Sequence, residues 1–263
     1  MDFLAVKDKN FLISGVANKK SVAYHTAVLL KEAGAKTLFT VQSEDIKAKV
    51  QKLFPEDDIF ICNVEDEASI SNLSAEIKSR DILISGFLHS IAFANYSEGV
   101  KPFIETKVQD FLQATNISCL SLVTMSQALR ESFSEDASIV TVSISSTKAT
   151  SYGYMGPIKS ALETSVAFLA KSFSEFSKIR VNAVCAGPLK TSASAGIPGY
   201  INNYLYAEQL TLRKQNLATP EVANTILFLL SNRSSGINAS GITVDAGMNV
   251  NYFDQDVVNK ATE

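Results

Sequence analysis

The 263-residue sequence predicts an α/β fold: one doubly wound, mostly parallel seven-stranded sheet with helices on both faces. Three observations carry this expectation. Strand and helix signals alternate along the chain, and strands joined by helical crossovers pair in parallel. No repeat, linker or low-complexity stretch breaks the alternation. The length suits one large domain and is short for two, and 46% hydrophobic residues can fill a sizeable core.

The elements follow in order from the apolar periods. A short apolar run over 11–14 is the first strand and ends in Gly15, before a helical pattern over 21–33. The second strand is 35–41, with a charged helix over 43–54 behind it. A third strand over 59–64 leads to an amphipathic helix over 69–79, and a fourth strand spans 82–89. One long helix is expected over 107–130, then a fifth strand over 138–143 and a second long helix over 160–176. The sixth strand is 179–184, a helix covers 220–230, and the last strand is 242–245.

Composition excludes several classes. A net charge of −3 gives no global attraction to nucleic acid or to an anionic membrane, so neither is expected as a partner. The longest apolar stretches, such as 225–230, are too short to span a bilayer. Residues 1–9 alternate charged and apolar side chains and carry no secretory apolar region. Cys62, Cys119 and Cys185 sit in apolar contexts and read as reduced thiols of a cytoplasmic protein. With only two His, no metal site is expected.

The turn after the first strand reads Gly15-Val16-Ala17-Asn18-Lys19-Lys20-Ser21-Val22-Ala23. It lacks the G-x-G-x-x-G dinucleotide fingerprint, and a lone Gly after a strand also suits a plain turn. Ser21 stands at a helix start, where its hydroxyl and the free N–H groups suit an anion. Ala23 is small enough for helix and strand to pack closely. The second strand runs out at Gln42, where an acid would take ribose hydroxyls and a base a 2′-phosphate. Gln42 can hydrogen-bond a ribose or adenine, and Lys19 and Lys20 are placed to reach a phosphate. Asn63-Val64 closes the third strand. Each of these polar residues would also serve a turn.

Tyr152 and Lys159 stand seven apart in Tyr152-Gly153-Tyr154-Met155-Gly156-Pro157-Ile158-Lys159. On or just before one helix that gap is about two turns, which puts both side chains on one face. A packed Tyr and a solvated Lys would also explain the pair alone. Further on come the run 179–191, with Arg180-Val181-Asn182 and Gly187-Pro188, and Val244-Asp245-Ala246-Gly247.

Taken together, these motifs resemble the short-chain dehydrogenase/reductase superfamily from Gly15 to Gly247. Most of its members place the catalytic Tyr four residues before the Lys, where this chain has Met155. A Tyr seven before the Lys, with Met and Gly between, resembles the NADH-dependent enoyl-acyl-carrier-protein reductase branch. The resemblance implies a Rossmann-type fold and reduction of the 2,3 double bond of an enoyl thioester in fatty acid synthesis. Tyr152 would donate to the thioester oxygen, and Lys159 would hold the nicotinamide ribose. Gly15, Ser21, Val22, Gln42, Asn63, Val64, Ser90, Ile91, Lys159, Ala186, Gly187, Leu189 and Thr191 would bind the cofactor, expected as NADH with NADPH as the alternative. Phe93, Ala94, Ile144, Met155, Ile197 and Tyr200 would line the substrate pocket, under a lid over about 192–212. His89 would be structural. The substrate would ride on an acyl carrier protein, and the assembly would be a homotetramer with its last strand at a dimer contact.

Three departures mark the chain as a diverged relative. Ile144 falls where the branch carries a second Tyr, in a segment about two residues shorter, with Tyr154 or a nearby serine as possible substitutes. The lid segment 192–209 holds no Lys or Arg, so a carrier would dock through other basic residues such as Lys190, Arg213 or Lys214. Asn63 and His25 replace the usual Asp and Gly at the cofactor rim. The sequence therefore also leaves open a reductase of another carrier-bound or small substrate in a specialised pathway, or a catalytically silent homologue.

Overall fold

The computed structural model describes residues 3–263. Seven strands make one sheet: β1 (Asn10–Ser14), β2 (Lys36–Val41), β3 (Asp58–Ile61), β4 (Ile84–His89), β5 (Phe133–Ile144), β6 (Arg180–Ala186) and β7 (Ser240–Val244). Their order is β3-β2-β1-β4-β5-β6-β7, and every neighbouring pair is parallel. The helices are α1 (Val22–Glu32), α2 (Glu44–Leu53), α3 (Glu67–Ser79), α4 (Val108–Thr115), α5 (Ser121–Ala128), α6 (Met155–Ser174), α7 (Ser192–Ala195), α8 (Tyr200–Leu210), α9 (Thr219–Leu230) and α10 (Gln255–Thr262).

Alternation along the central strands builds two cores. Leu12, Phe87, Ile139 and Val181 face one side, against Leu122 and Met125 of α5 and Leu162 and Val166 of α6. Phe11, Ile13, Leu88, Val140 and Val184 face the other, against Leu30 of α1 and Ile226 and Leu229 of α9. Strand order reverses between β1 and β4, so the connections leaving those strands diverge to opposite faces. In sheets of this order the crevice at that reversal, outside the carboxyl ends of the strands, is where ligands bind.

The Arg-Val-Asn run is part of this frame. The Arg180 guanidinium is buried and donates to the carbonyls of Leu229 (3.2 Å) in the last turn of α9 and of Ser231 (3.0 Å) and Ser234 (3.0 Å) just beyond it. Asn182 Nδ2 donates to Ile237 O at 2.9 Å, and its Oδ1 accepts from Ser240 N at 3.2 Å. The two side chains thus fasten β6 to the end of α9 and to β7, satisfying carbonyls that the helix leaves unpaired.

Several boundaries differ from the sequence expectation. β3 stops at Ile61, because Asn63 leaves the ladder: its Oδ1 accepts from Glu65 N (3.2 Å) and its carbonyl from Asp66 N (3.0 Å). α6 begins at Met155 rather than at 160. Gly156 and Pro157 read as helix breakers in sequence, yet in a first turn the missing N–H of Pro costs nothing. The expected single helix over 107–130 is α4 and α5 joined by a π-helical turn, Asn116–Leu120. Segment 192–212 contains α7 and α8, and α10 follows β7; α8 buries only Ala207 and α10 buries no residue, so neither carries a core-facing stripe. Among the described residues no helix is long and apolar enough to cross a membrane.

Candidate active site

The expected cofactor residues share one edge of the sheet because nearly all follow the last residue of a strand. Gly15 follows β1, Gln42 follows β2, Ser90 and Ile91 follow β4, and Gly187 to Thr191 follow β6. Ala186 and Ile144 are the terminal residues of β6 and β5 and pair with each other in the sheet. Asn63 and Val64 lie just past β3 in the turn described above, and Val64 packs on the core.

Gly15 has φ +94°, and a Cβ there would stand 2.0 Å from Ser90 O. Only glycine lets the loops after β1 and β4 approach this closely at the switch point. The chain then enters α1 through Ser21, whose Oγ accepts from Tyr24 N at 3.3 Å. The N–H groups of Val22 and Ala23, on the first turn of α1, have no acceptor among the described residues. This is a donor set of the right chemistry for a pyrophosphate. Gln42 is exposed at the strand end, free to reach an adenine or ribose. Lys19 and Lys20 are exposed on the same loop, and neither forms an ion pair within the described residues.

Tyr152 ends a short 3-10 turn, Thr150–Tyr152, and Gly153 (φ +62°) separates it from α6. Tyr152 is therefore brought to the site by a turn, not by two turns of one helix face as its spacing suggests. Its hydroxyl bonds to no described residue. Burial, with the phenols of Tyr96 and Tyr200 nearby, holds its pKa well above the usual tyrosine range, so it is a neutral donor at physiological pH. Gly156, between the pair, lets α6 start against the β5–α6 loop: a Cβ there would meet Thr147 O at 2.9 Å.

Lys159 lies one turn into α6 and is buried. Its Nζ donates to Val142 O at 2.8 Å, using one of three donors and leaving two for ribose hydroxyls. Burial brings its pKa down to about 8, against weaker opposing effects from Cys119, Glu163 and Cys185. Glu163, one turn further along α6, is half-buried and accepts from Ser143 Oγ at 2.5 Å. Sequence reasoning missed it; the signal was its i+4 position after Lys159.

Other expected residues distribute as follows. Ile144 is half-buried at the end of β5, Phe93 is exposed, and Ala94 packs partly on the core. Met155 is buried in the core beside Ile158 and Leu162. Tyr200 begins α8, and its hydroxyl accepts from Leu189 N at 2.9 Å, joining that helix to the loop after β6. Ile197 is half-buried between α7 and α8. Thr191 caps α7, accepting from Ser194 N at 3.2 Å. Asn18 Nδ2 donates to Ser192 Oγ, tying the loop after β1 to the start of α7.

His89 is fully buried, with Nδ1 bonded to Thr141 Oγ1 (3.0 Å) and Nε2 to Ser121 Oγ (2.8 Å). Burial and the nearby Lys159 lower its pKa to about 3, so the ring is neutral and both nitrogens are spent. His25 lies on α1 edge-on to Tyr24, with burial lowering its pKa. All three cysteines are free and buried, and burial pushes the Cys62 and Cys185 thiols up to about 12, far from a nucleophile's range. No group of three His, Cys, Asp or Glu able to hold a metal occurs among the described residues.

Comparisons with known proteins bear on the family and the fold. Residues 15–249 match the family described as enoyl-(acyl carrier protein) reductase. The enoyl-(acyl-carrier-protein) reductase (NADH) FabI of Bacillus subtilis is 34% identical over 253 residues, covering 94% of this chain and 98% of that protein. The corresponding NADPH enzyme of Staphylococcus aureus (strain MRSA252) is 33% identical over 251 residues, covering 93% and 98%. The crystal structure of the NADH enzyme from Aquifex aeolicus superposes with a TM-score of 0.88 at 29% identity, covering 93% of this chain and 98% of that one.

Proposed function

The chain belongs to the enoyl-(acyl carrier protein) reductase family, and from that premise we propose that Tyr152 and Lys159 carry its reaction at the mouth of the β1–β4 crevice. The protein is a nicotinamide-dependent oxidoreductase acting on a carbon–carbon double bond of an enoyl thioester in fatty acid synthesis. When bound, the nicotinamide supplies hydride to the β-carbon of the substrate. Negative charge then develops on the thioester oxygen. The Tyr152 phenol, neutral and without a protein partner, donates to that oxygen. Lys159 uses its two free donors on the nicotinamide ribose and keeps the local potential positive. The observation that carries this assignment is the free Tyr152 hydroxyl, three residues before a helix whose buried lysine has donors to spare.

The cofactor is NADH in our reading, with the pyrophosphate on the first turn of α1 and Gln42 at the adenosine end. NADPH remains the alternative, with Lys19 and Lys20 as candidate partners of a 2′-phosphate. Ala186 to Leu189 pass along the nicotinamide in this assignment, and Thr191 lies toward the pyrophosphate. Segment 192–212 acts as the substrate lid, with Ile197 and Tyr200 facing the acyl chain together with Phe93, Ala94 and Ile144, while Met155 is buried in the core behind them.

Carrier docking needs cations near that lid, and two of the expected ones are occupied. Arg213 forms a bidentate pair with Glu221 at 2.6 and 2.7 Å, and Lys214 pairs with Asp254. The remaining candidates are Lys190, after β6, and Lys148, after its neighbour β5; both are exposed and form no ion pair within the described residues. We propose that these two meet an acidic carrier.

A homotetramer in the cytoplasm completes the reading. The outer face of α6 carries the exposed Phe168 beside a groove of about 510 Å³ lined also by Val123, Ala161 and Thr164. A second copy fits this face, and the unpaired edge of β7 offers another contact. The three free buried thiols suit a reducing compartment.

The decisive measurement is NADH and NADPH consumption by the purified protein with a trans-2-enoyl thioester, offered on acyl carrier protein and on coenzyme A. Rapid turnover of the carrier form is the expected result. Cofactor binding without turnover of either substrate would point to a tailored substrate or a silent homologue.

A further inference from the structure

Ile144, at the end of β5, cannot donate a hydrogen bond, so the pocket wall opposite Tyr152 needs its polar group from elsewhere. Three other tyrosines lie near Tyr152, and two are occupied. Tyr154 Oη accepts from Asn95 N at 2.8 Å and donates to Asn95 O at 3.2 Å. Tyr200 Oη accepts from Leu189 N at 2.9 Å. Tyr96 Oη bonds to no described residue.

Tyr96 is nevertheless firmly held. It lies in the β4–α4 connection, half-buried, with its ring stacked on Tyr154 at 6.3 Å between centroids and 27° between planes. Its neighbour Asn95 is pinned through both backbone groups by Tyr154 and through Nδ2 by Asp110 Oδ1 at 2.9 Å. On the other side Gly99 N donates to Tyr96 O at 2.9 Å. Tyr96, Gly153 and Tyr154 line one cleft of about 190 Å³, and Gly153 is the residue after Tyr152.

We infer that Tyr96 supplies the polar wall that Ile144 lacks, and that its phenol donates a hydrogen bond to the enoyl thioester beside Tyr152. The inference rests on the enoyl-thioester reading above and names the residue that orients the acyl group. Burial, then Tyr154, pushes the Tyr96 phenol up to about 12, so it stays a donor across the working range. Its stacking partner Tyr154 lies two residues after Tyr152, which keeps Tyr96 next to the turn that carries Tyr152. A rigid, neutral, unspent donor is what substrate orientation requires.

The test is Tyr96→Phe in the full-length protein, which keeps the ring and its stacking and removes only the hydroxyl. Expected is a fall of about five- to tenfold in kcat/KM for crotonyl coenzyme A, the loss of one hydrogen bond, with NADH affinity and melting temperature unchanged. An unchanged kcat/KM, or a loss mirrored in NADH affinity or melting temperature, would overturn the inference. A second measurement does not need turnover: calorimetric binding of crotonyl coenzyme A to the complex with NAD⁺. Tyr96→Phe should weaken that binding by the same factor; equal affinity in both proteins overturns the role of Tyr96 alone. Failure of the unsubstituted protein to bind the thioester would overturn the enoyl-thioester reading and this inference with it.

Discussion

Lys159 carries an ammonium into a fully buried position, and the cost of that burial sets its pH behaviour. Its pKa falls to about 8 from the ordinary lysine value. Between that pH and the ordinary value the unfolded chain holds a proton that the folded chain has released, so this group's contribution to stability rises with pH across that window. Cofactor binding is expected to run the other way, because the cation proposed to hold the ribose is lost as pH rises through about 8. NADH affinity, followed by fluorescence titration, is expected to fall over that range. A flat profile would mean that Lys159 stays charged or lies outside the site. Tyr152→Phe tests the other partner: turnover should drop by about a hundredfold, with NADH affinity nearly intact. Unchanged turnover would move the donor role to another hydroxyl. Tyr152 and Lys159 were both legible as candidates from their spacing together with the resemblance to the enoyl reductase branch. Their environments were not, because burial and unspent donors depend on what packs around them.

At the scale of elements, the crevice depends on one tight passage between the loops after β1 and β4. Gly15→Ala would force a Cβ into Ser90 O at a backbone angle that side chains rarely adopt. The expected cost is about 3 kcal/mol or more, together with loss of NADH binding, measured by thermal melting and titration. A stable variant with full affinity would show that the two loops part easily. The lid gives a gain-of-function test. Asn202→Lys with Asn203→Lys adds two cations to α8, where the exposed Ile201, Leu205 and Tyr206 now meet solvent. Turnover of carrier-bound substrate should rise and become salt-sensitive, while turnover of the coenzyme A substrate stays level. No change would favour docking at Lys148 and Lys190 alone. The helices of this segment were hidden in the sequence because only Ala207 of α8 is buried, so no apolar stripe marks it. The break between α4 and α5 was hidden too, since a π-turn leaves the composition of a helix unchanged.

At the scale of the molecule, an open sheet with exposed apolar helix faces calls for partners. Phe168 on α6 and Leu120 at the end of the π-turn are large, apolar and exposed. Phe168→Glu is expected to reduce the proposed tetramer to a smaller species in light scattering, with the fold retained by circular dichroism. A substituted protein of unchanged mass would place the interface elsewhere. The same scale explains the site: the β1–β4 reversal gathers residues more than a hundred positions apart, from Gly15 to Thr191, onto one edge.

The sequence alone determined the architecture. Alternating strand and helix periods allow few arrangements, and motifs at strand ends place a cofactor site on the carboxyl edge of such a sheet. It also singled out Tyr152, Lys159 and the departure at Ile144. Tertiary structure alone decided which of the polar groups are free. Arg180 and Asn182 proved to be fasteners of β6, Arg213 and Lys214 are held by Glu221 and Asp254, and Tyr154 is held by Asn95. Tyr96, stacked on Tyr154, is left with a hydroxyl that bonds to no described residue. The reason is physical: a side chain's chemistry is written in its residue type, but its availability depends on partners distant in the chain that only folding brings within hydrogen-bond reach.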